Sequence, residues 1–566
     1  MDLLQKNLQS LKENNLLLFE QVLEHLEKQD QDGNNQFEIL QSKAGHLTIQ
    51  LHDKEGKRFL LSSYNPDKEA QRWASKYQGK KSFIIFGLGF GYHLRHISER
   101  AERILVIEPD MELFCLVLRY IDFRWVFQDE KITLLITTPP LKTKSILYRF
   151  IEQDEDFILE SIAGYQFNYA DVFTALQKQV NEAVSSRIVN INTYRIFGRA
   201  WTSNFFKNFH LVMKSPGVRH FFERFRGIPA VIISAGPSLN KNIGLLNSLQ
   251  DKAILIAVGT VYKALKKHGV RPNFIVSVDG GIANYQHFKG EKIKDIPLVF
   301  DPVIYPDIVH EYKGPLIAGN VCNQFLAWFE ERLGFSTGHL EVGPSVANVS
   351  LDLAYKLGAD PIIFVGQDLA YTGGKTHAAG TIYEKNQAEK TDSLGNVFVE
   401  GINGQEVLSS RSFLTFLRWF EEYIALHPDR HYIDATEGGA RIKGTKVLSL
   451  LETARDYCQL SYDIGEEIDD LVQHVDKLYE EKIGDMTEAI TEVISELKVV
   501  KNKAAKGLEL VDRLKFLFSK KKPDYRIINS ILEQLDQIDQ EIIAKKDSKV
   551  FLHIIFQPLI KPLLNG

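Results

Sequence analysis

Between Gly366 and Gly380 the chain reads GQDLAYTGGKTHAAG, which sets Gln367, Asp368, Tyr371, Lys375 and His377 on one glycine-rich loop. A histidine titrates near ~6.5 and can take a proton at neutral pH, so His377 is the candidate general base. Lys375 offers a cation, Tyr371 a hydroxyl donor and Asp368 a carboxylate. Two further stretches supply groups that favour anions. In AVIISAGPSLNKN, Ala230 to Asn242, a β-branched run enters Gly236-Pro237-Ser238 and then a polar segment with Asn240, read as helical from Leu239 to Asp251. Gly343-Pro344-Ser345 stands before a second helical segment. A strand, a tight turn and a helix start aim several N–H groups into one space, with the positive end of the helix behind them. Two such turns beside a histidine-bearing loop suggest phosphate-ester chemistry with a general base. Each part has a plain reading as well: glycine-proline turns occur in many folds, and Asp279 and Asp368 can simply cap turns. His287, His310 and His339 lack a comparable setting and are read as incidental.

These residues need a scaffold, and the central sequence supplies one. Strand-like runs at Ile254–Val258, Phe274–Val278, Leu298–Phe300, Leu316–Ala318 and 361–365 alternate with helical segments Val261–Lys267, Gln324–Leu333 and Val346–Leu357. Alternation of this kind predicts a parallel sheet covered on both faces. Ligands bind such sheets at the carboxyl ends of strands, near a switch in strand order. Ser238, Asn240, Thr260, Asp279, Asp301, Ser345 and Asp368 all fall at such ends.

Upstream, leucines from Leu3 to Leu26 predict a helical hairpin or one bent helix, and alternating stretches near His46–Leu51 and Arg58–Ser62 predict a small sheet. DQDGNNQFE, from Asp30, has its glycine at the fourth position instead of the sixth of a calcium loop and no acid at the twelfth, and reads as a polar turn. Ser82–Ile97, SFIIFGLGFGYHLRHI, runs a strand into Gly87, Gly89 and Gly91, and a second strand ends at Glu108, where Rossmann-like sites place a ribose-binding acid. This resembles the first motif of S-adenosylmethionine-dependent methyltransferases; no later chemistry-bearing motif follows, so a purely structural role is preferred. Asp171–Arg226 reads as one long helical connection. After Gly444 apolar residues recur at three and four spacings through Ile464–Leu478, Ile483–Val500 and Ile528–Ile542, the pattern of a helical bundle. The fold class is therefore α/β: a central Rossmann-like parallel sheet domain (196–445), preceded by an N-terminal domain with a small sheet and a Rossmann-like part (1–195), and followed by an all-α bundle (446–566).

A chain of 566 residues exceeds one core and suggests roughly three or four domains. A formal net charge of −5 gives no global field for nucleic acid. Three scattered cysteines, Cys115, Cys322 and Cys458, argue against a disulfide framework or a zinc site and fit a reducing cytoplasm. The charged N-terminus shows no signal peptide, and no run reaches the ~18 apolar residues of a membrane span.

VIISAGPSLNKNIGLLNSL, AVGTVYKALKKHGVRPNFIVSVDG and GPSVANVSLDLAYKLGADPIIFVGQDLAYTGGKTHAAG together resemble the motility-associated factor (Maf) family of flagellin glycosyltransferases, specifically over residues 228–380. That resemblance implies transfer of a nonulosonic acid, of pseudaminic or legionaminic type, from its CMP-activated form to Ser or Thr of flagellin. The central domain is also similar to bacterial CMP-sialyltransferases, in which a glycine turn binds the nucleotide and a histidine is the base. A nonulosonate carries its carboxylate on a quaternary anomeric carbon, so loss of CMP would pass through an oxocarbenium-like state. Ser238, Ser345 and Tyr371 would steady the departing phosphate, and His377 would take the acceptor's proton.

The only Asp-x-Asp sequences, Asp30–Asp32 and Asp154–Asp156, lie in polar stretches outside the central sheet. A monophosphate leaving group needs less neutralisation than a diphosphate, so no obligatory metal is expected. Magnesium held by Asp279, Asp301 and Asp368 is the less favoured option. The central domain also resembles archaeal hydroxymethylpterin pyrophosphokinases, which gives a magnesium-dependent alternative. A non-enzymatic flagellin-binding protein and a working methyltransferase at Gly87 complete the alternatives.

Overall fold

The computed structural model describes residues 2–29, 36–53, 56–136, 146–151, 156–321, 323–385, 395–473, 478–520 and 524–544. Cys322, Asp30–Asp32 and Asp154–Glu155 lie outside them. The chain divides into two compact units, residues 1–192 and 193–566.

In the first unit, helices Leu3–Asn14 and Leu16–Gln29 break at Asn15, whose side chain accepts from the Leu18 N–H. The small sheet has three antiparallel strands, β1 (Phe37–Gln41), β2 (Leu47–Asp53) and β3 (Gly56–Phe59). The Rossmann-like part is a four-stranded parallel sheet of β4 (Ser82–Phe86), β5 (Arg103–Glu108), β6 (Ile132–Ile136) and β7 (Phe157–Ser161), in the order β6-β5-β4-β7. The order runs outward from β4 on one side and restarts with β7 on the other. The switch point therefore lies between β4 and β7.

The second unit repeats that logic at larger scale. Strands β8 (Ala230–Ile233), β9 (Ile254–Val258), β10 (Phe274–Ser277), β11 (Leu298–Phe300), β12 (Leu316–Ala318) and β13 (Ile362–Val365), with β16 (Tyr432–Asp434) and β17 (Lys446–Val447), form an eight-stranded parallel sheet. Its order is β12-β11-β10-β9-β8-β13-β16-β17, which places the switch between β8 and β13. Every residue of β8, β9 and β13 is buried, as uninterrupted apolar runs require when helices cover both faces. A β14–β15 hairpin (Asn396–Glu400 and Glu406–Ser410) stands apart from this sheet. Strands β16 and β17 and this hairpin were not foreseen, because each is short and flanked by polar residues.

The long connecting helix spans Ala170–Lys214 and stops at Ser215-Pro216, since the residue before a proline is disfavoured in the helical region. The expected helix Leu239–Asp251 is instead one α-turn, Leu239–Asn242, followed by a 3₁₀ segment, Ile243–Leu249, that contains the poor helix former Gly244. C-terminally, Ile464 and Ile468 join the core under the large sheet, and Ala489 and Val493 of helix Leu478–Phe518 pack against Phe325 and Phe329. Beyond them Leu510, Leu514 and Leu517 pack on Ile528, Ile531 and Ile538 of helix Tyr525–Ile543. Among the described residues no helix is long and apolar enough to cross a membrane.

Candidate functional site

At the β8–β13 switch the chain closes on itself. The Ser234 hydroxyl donates to the Gln367 side-chain carbonyl at 2.5 Å, and the Gly236 N–H donates to the Gly366 carbonyl at 2.8 Å. Ser238 then meets Asp368: its hydroxyl donates to Oδ1 at 2.6 Å, and its N–H lies 3.2 Å from each carboxylate oxygen. The anion expected at this turn is thus a carboxylate of the chain itself. Asp368 is 2 % exposed, and burial raises its pKa against the lowering effect of the Ser238 hydrogen bonds. Gly236 is required here, because a Cβ would come within 2.0 Å of Asp368 Oδ1 and 2.5 Å of the Gly366 carbonyl. Leu369, next in the chain, holds φ at +50°, a conformation that costs a non-glycine residue on the order of 1–2 kcal/mol and marks a segment fixed by its surroundings.

The loop beyond is pinned to the same turn. The Ala378 N–H donates to the Ala235 carbonyl at 2.8 Å, and the Ala379 N–H donates to Asn240 Oδ1 at 3.0 Å. His377 stands just before these bonds, half-buried, with Nδ1 2.9 Å from the Thr376 hydroxyl. Burial lowers its pKa, so the imidazole is neutral at pH 7, the form a general base requires. Its ring packs on Tyr383 (centroids 5.0 Å apart), and the other side of that contact is His287, edge-on to Tyr383 at 5.4 Å.

His287, read as incidental from its spacing, packs beside the His377 loop through Tyr383. It is 5 % exposed with Nδ1 unpartnered, and burial, then the charges of Lys263 and His377, push its pKa down to about 4. Sequence spacing gave no signal for it, because helix Ile282–Phe288 reaches the His377 loop only through tertiary packing. Asn204 and Asn208 were missed for the same reason. From one face of the long helix their amides donate to the carbonyls of Gly280 (3.1 Å) and Val303 (3.0 Å), and of Pro302 (3.0 Å) and Ile304 (2.8 Å), fixing the loops after β10 and β11.

The remaining expected residues are distributed. Asp279 is exposed after β10, where its carboxylate accepts from the Gly281 N–H at 2.8 Å. Thr260 lies half-buried in the 3₁₀ segment Gly259–Val261 after β9. Lys375 is exposed, and the Tyr371 ring is buried against Phe413 at 5.6 Å. Gly343-Pro344-Ser345 opens helix Val346–Lys356, where the Asn348 carbonyl oxygen accepts from the Ser345 N–H (3.0 Å) and hydroxyl (2.7 Å). Among the described hydrogen bonds none joins this turn to Ser238 or His377. Asp301 is also committed: its oxygens accept from Val303 and Val321 N–H groups, each at 2.9 Å, while burial raises its pKa to about 6. Among the described residues no group of three or more His, Cys, Asp or Glu side chains is placed to hold a metal ion.

The first unit closes its own switch in a parallel way. Glu108, the expected ribose ligand, is 1 % exposed and accepts from the Leu88 N–H at 2.9 Å and the Tyr165 hydroxyl at 2.8 Å. Tyr165, from the helix after β7, fills the space over Gly87, where a Cβ would lie 2.7 Å from its ring, and its hydroxyl accepts from Gly89 N–H at 3.1 Å. Burial, against those hydrogen bonds, raises the Glu108 pKa to about 8.

Two units, each a parallel sheet with a glycine turn at its switch point, define an α/β protein with two Rossmann-like sheets. Residues 5–189 match the Glycosyltransferase Maf N-terminal domain, and residues 203–374 match the 6-hydroxymethylpterin diphosphokinase MptE-like family. The N-terminal part of the chain is therefore similar to the Maf glycosyltransferase family. The structure of MAf glycosyltransferase from Magnetospirillum magneticum AMB-1 shares the fold at a TM-score of 0.53 and 16% identity, over 100% of this chain and 99% of that one. Two uncharacterized proteins of Treponema pallidum (strain Nichols) are similar: one 22% identical over 363 residues (61% of this chain), the other 26% identical over 205 residues (34% of this chain, 68% of that one). The chain spans 63% of the length of the first.

Proposed function

We propose that this chain transfers a nonulosonic acid from a CMP-activated donor to a Ser or Thr hydroxyl of flagellin, in the cytoplasm, with residues 196–445 as the catalytic domain and no obligatory metal. The observation that carries the reading is the pinning of the His377 loop to the β8 turn through Ala235 and Asn240, which fixes a half-buried neutral imidazole beside the carboxyl edge of the switch. In this reading His377 removes the acceptor's proton as the sugar–phosphate bond breaks, and CMP leaves with the phosphate oxygen that held the sugar. Asp368 acts through Ser238, shaping the turn on which the CMP half rests. Asn240 lies on that turn, and in this reading Thr260, Asp279 and Lys375, at the ends of other strands and on the His377 loop, add polar contacts to the donor, with Ser345 presenting a second helix start. The Maf N-terminal domain match supports the glycosyl-transfer class.

The test is transfer of sugar from a CMP-nonulosonate to purified flagellin, read by intact-protein mass, with chelator and with magnesium. Transfer in both, lost in His377→Ala, is expected. The MptE-like match over 203–374 favours one other reading, magnesium-dependent diphosphoryl transfer to a pterin. AMP release from ATP with hydroxymethylpterin, in place of sugar transfer, would replace the first reading by the second.

A further inference from the structure

Beside the His377 loop a cleft of about 540 Å³ opens, with Lys263, Lys266, Lys267 and Glu291 on one wall and Gly380–Ile382 on the other. Spacings of three and four put the three lysines on one face of helix Tyr262–Lys267. Lys266 is neutralised by Glu291, 2.7 Å away. Lys263 donates to the Gln286 carbonyl at 2.9 Å, which satisfies a hydrogen bond and leaves its charge uncompensated. Lys267 lies along Gly380, its Cδ 3.3 Å from where a Cβ would stand, and among the described residues no carboxylate pairs with it. Lysines in a last helical turn complement the helix dipole, which accounts for Lys266 and Lys267. It does not account for Lys263, a cation in the first turn, whose charge also reaches His287 and so the neighbourhood of His377. Two uncompensated cations facing a cleft of ligand size are an oxyanion site.

We propose that Lys263 and Lys267 hold the carboxylate of the donor sugar and thereby select acidic sugars over neutral ones. This rests on the donor reading above. The phosphate of CMP is the other oxyanion that this chemistry would accept, and the two are separable by experiment. Wild type and a Lys263→Gln/Lys267→Gln variant are titrated calorimetrically with CMP and with CMP-N-acetylneuraminic acid, with thermal melts confirming that both proteins are folded. Wild type is expected to bind the CMP-sugar at least about tenfold more tightly than CMP, and the variant to keep its CMP affinity while losing that difference. Equal weakening of both ligands would move the cleft to the phosphate and overturn the carboxylate assignment, as would affinities unchanged by the substitutions. Failure of wild type to bind either ligand would instead overturn the donor reading itself.

Discussion

Ser238 gives Asp368 both its hydroxyl, at 2.6 Å, and its N–H, at 3.2 Å from each oxygen, so the turn after β8 is held by the third residue after β13. The two strands at the switch point are thus latched by one carboxylate. Removing the hydroxyl in Ser238→Ala deletes a charge-assisted bond to a buried group, which costs about 1.5–3 kcal/mol. Asp368→Asn keeps the shape but turns a donor toward donors. Both variants are expected to melt lower than wild type, and Asp368→Asn to bind CMP at least about tenfold more weakly. Unchanged melting in both would show that the latch contributes nothing.

The glycine turns of the two units are predicted to separate by function. In Gly236→Ala the new methyl meets Asp368 Oδ1 at 2.0 Å, and in Gly87→Ala it meets the Tyr165 ring at 2.7 Å with φ at +98°. Overpacking of this kind costs about 1–3 kcal/mol, and the positive φ adds to it. Gly236→Ala should abolish CMP binding. Gly87→Ala should lower stability while leaving CMP affinity within about twofold. Loss of CMP affinity in Gly87→Ala, in protein that remains folded at the assay temperature, would give the first glycine turn a part in the chemistry.

Glu108 makes the first unit's stability depend on pH. Its folded pKa is raised to about 8 by burial, so the folded state holds a proton that the unfolded chain releases near the ordinary 4.5. Its contribution is therefore present at low pH and lost as pH rises through 8. His93, pushed down to about 4 by burial, acts oppositely below its ordinary 6.5, so the Glu108 effect stands clear between 6.5 and 8. Denaturant unfolding should show stability falling across that window in wild type, with a flatter profile in Glu108→Gln. An unaltered slope in the variant would assign the pH dependence elsewhere.

The parallel architecture was legible because its signals are local: uninterrupted apolar runs such as Ile254–Val258 ending in polar turns can be read without knowing what they touch. The partition of the site was not. Ser238 and Asp368 stood out as strand-end residues, but that each satisfies the other depends on β13 pairing with β8, a contact more than a hundred residues apart in the chain. Glu108 was assigned outward to a ribose for the same reason, since its partner Tyr165 lies across the first switch. His287 was passed over because burial beside Tyr383 is a property of packing, with no counterpart in the spacing of its own helix.

The two histidines that share Tyr383 give the last prediction. Burial lowers both pKa values, His287 to about 4 and His377 below its ordinary 6.5. If His377 is the base, kcat/KM for sugar transfer rises with pH through a single pKa below 6.5 and is flat above it, because only the neutral imidazole accepts the proton. His377→Ala removes that limb and lowers the rate by about 10²–10⁴. Burial alone lowers the His377 pKa, and His287, whose own pKa is pushed down to about 4, carries no charge above that pH. His287→Gln is therefore expected to leave the limb in place while the plateau changes by less than about tenfold. A limb that moves when His287 is replaced would show that the two rings titrate as a coupled pair, and a limb that survives in His377→Ala would transfer the base role to another group.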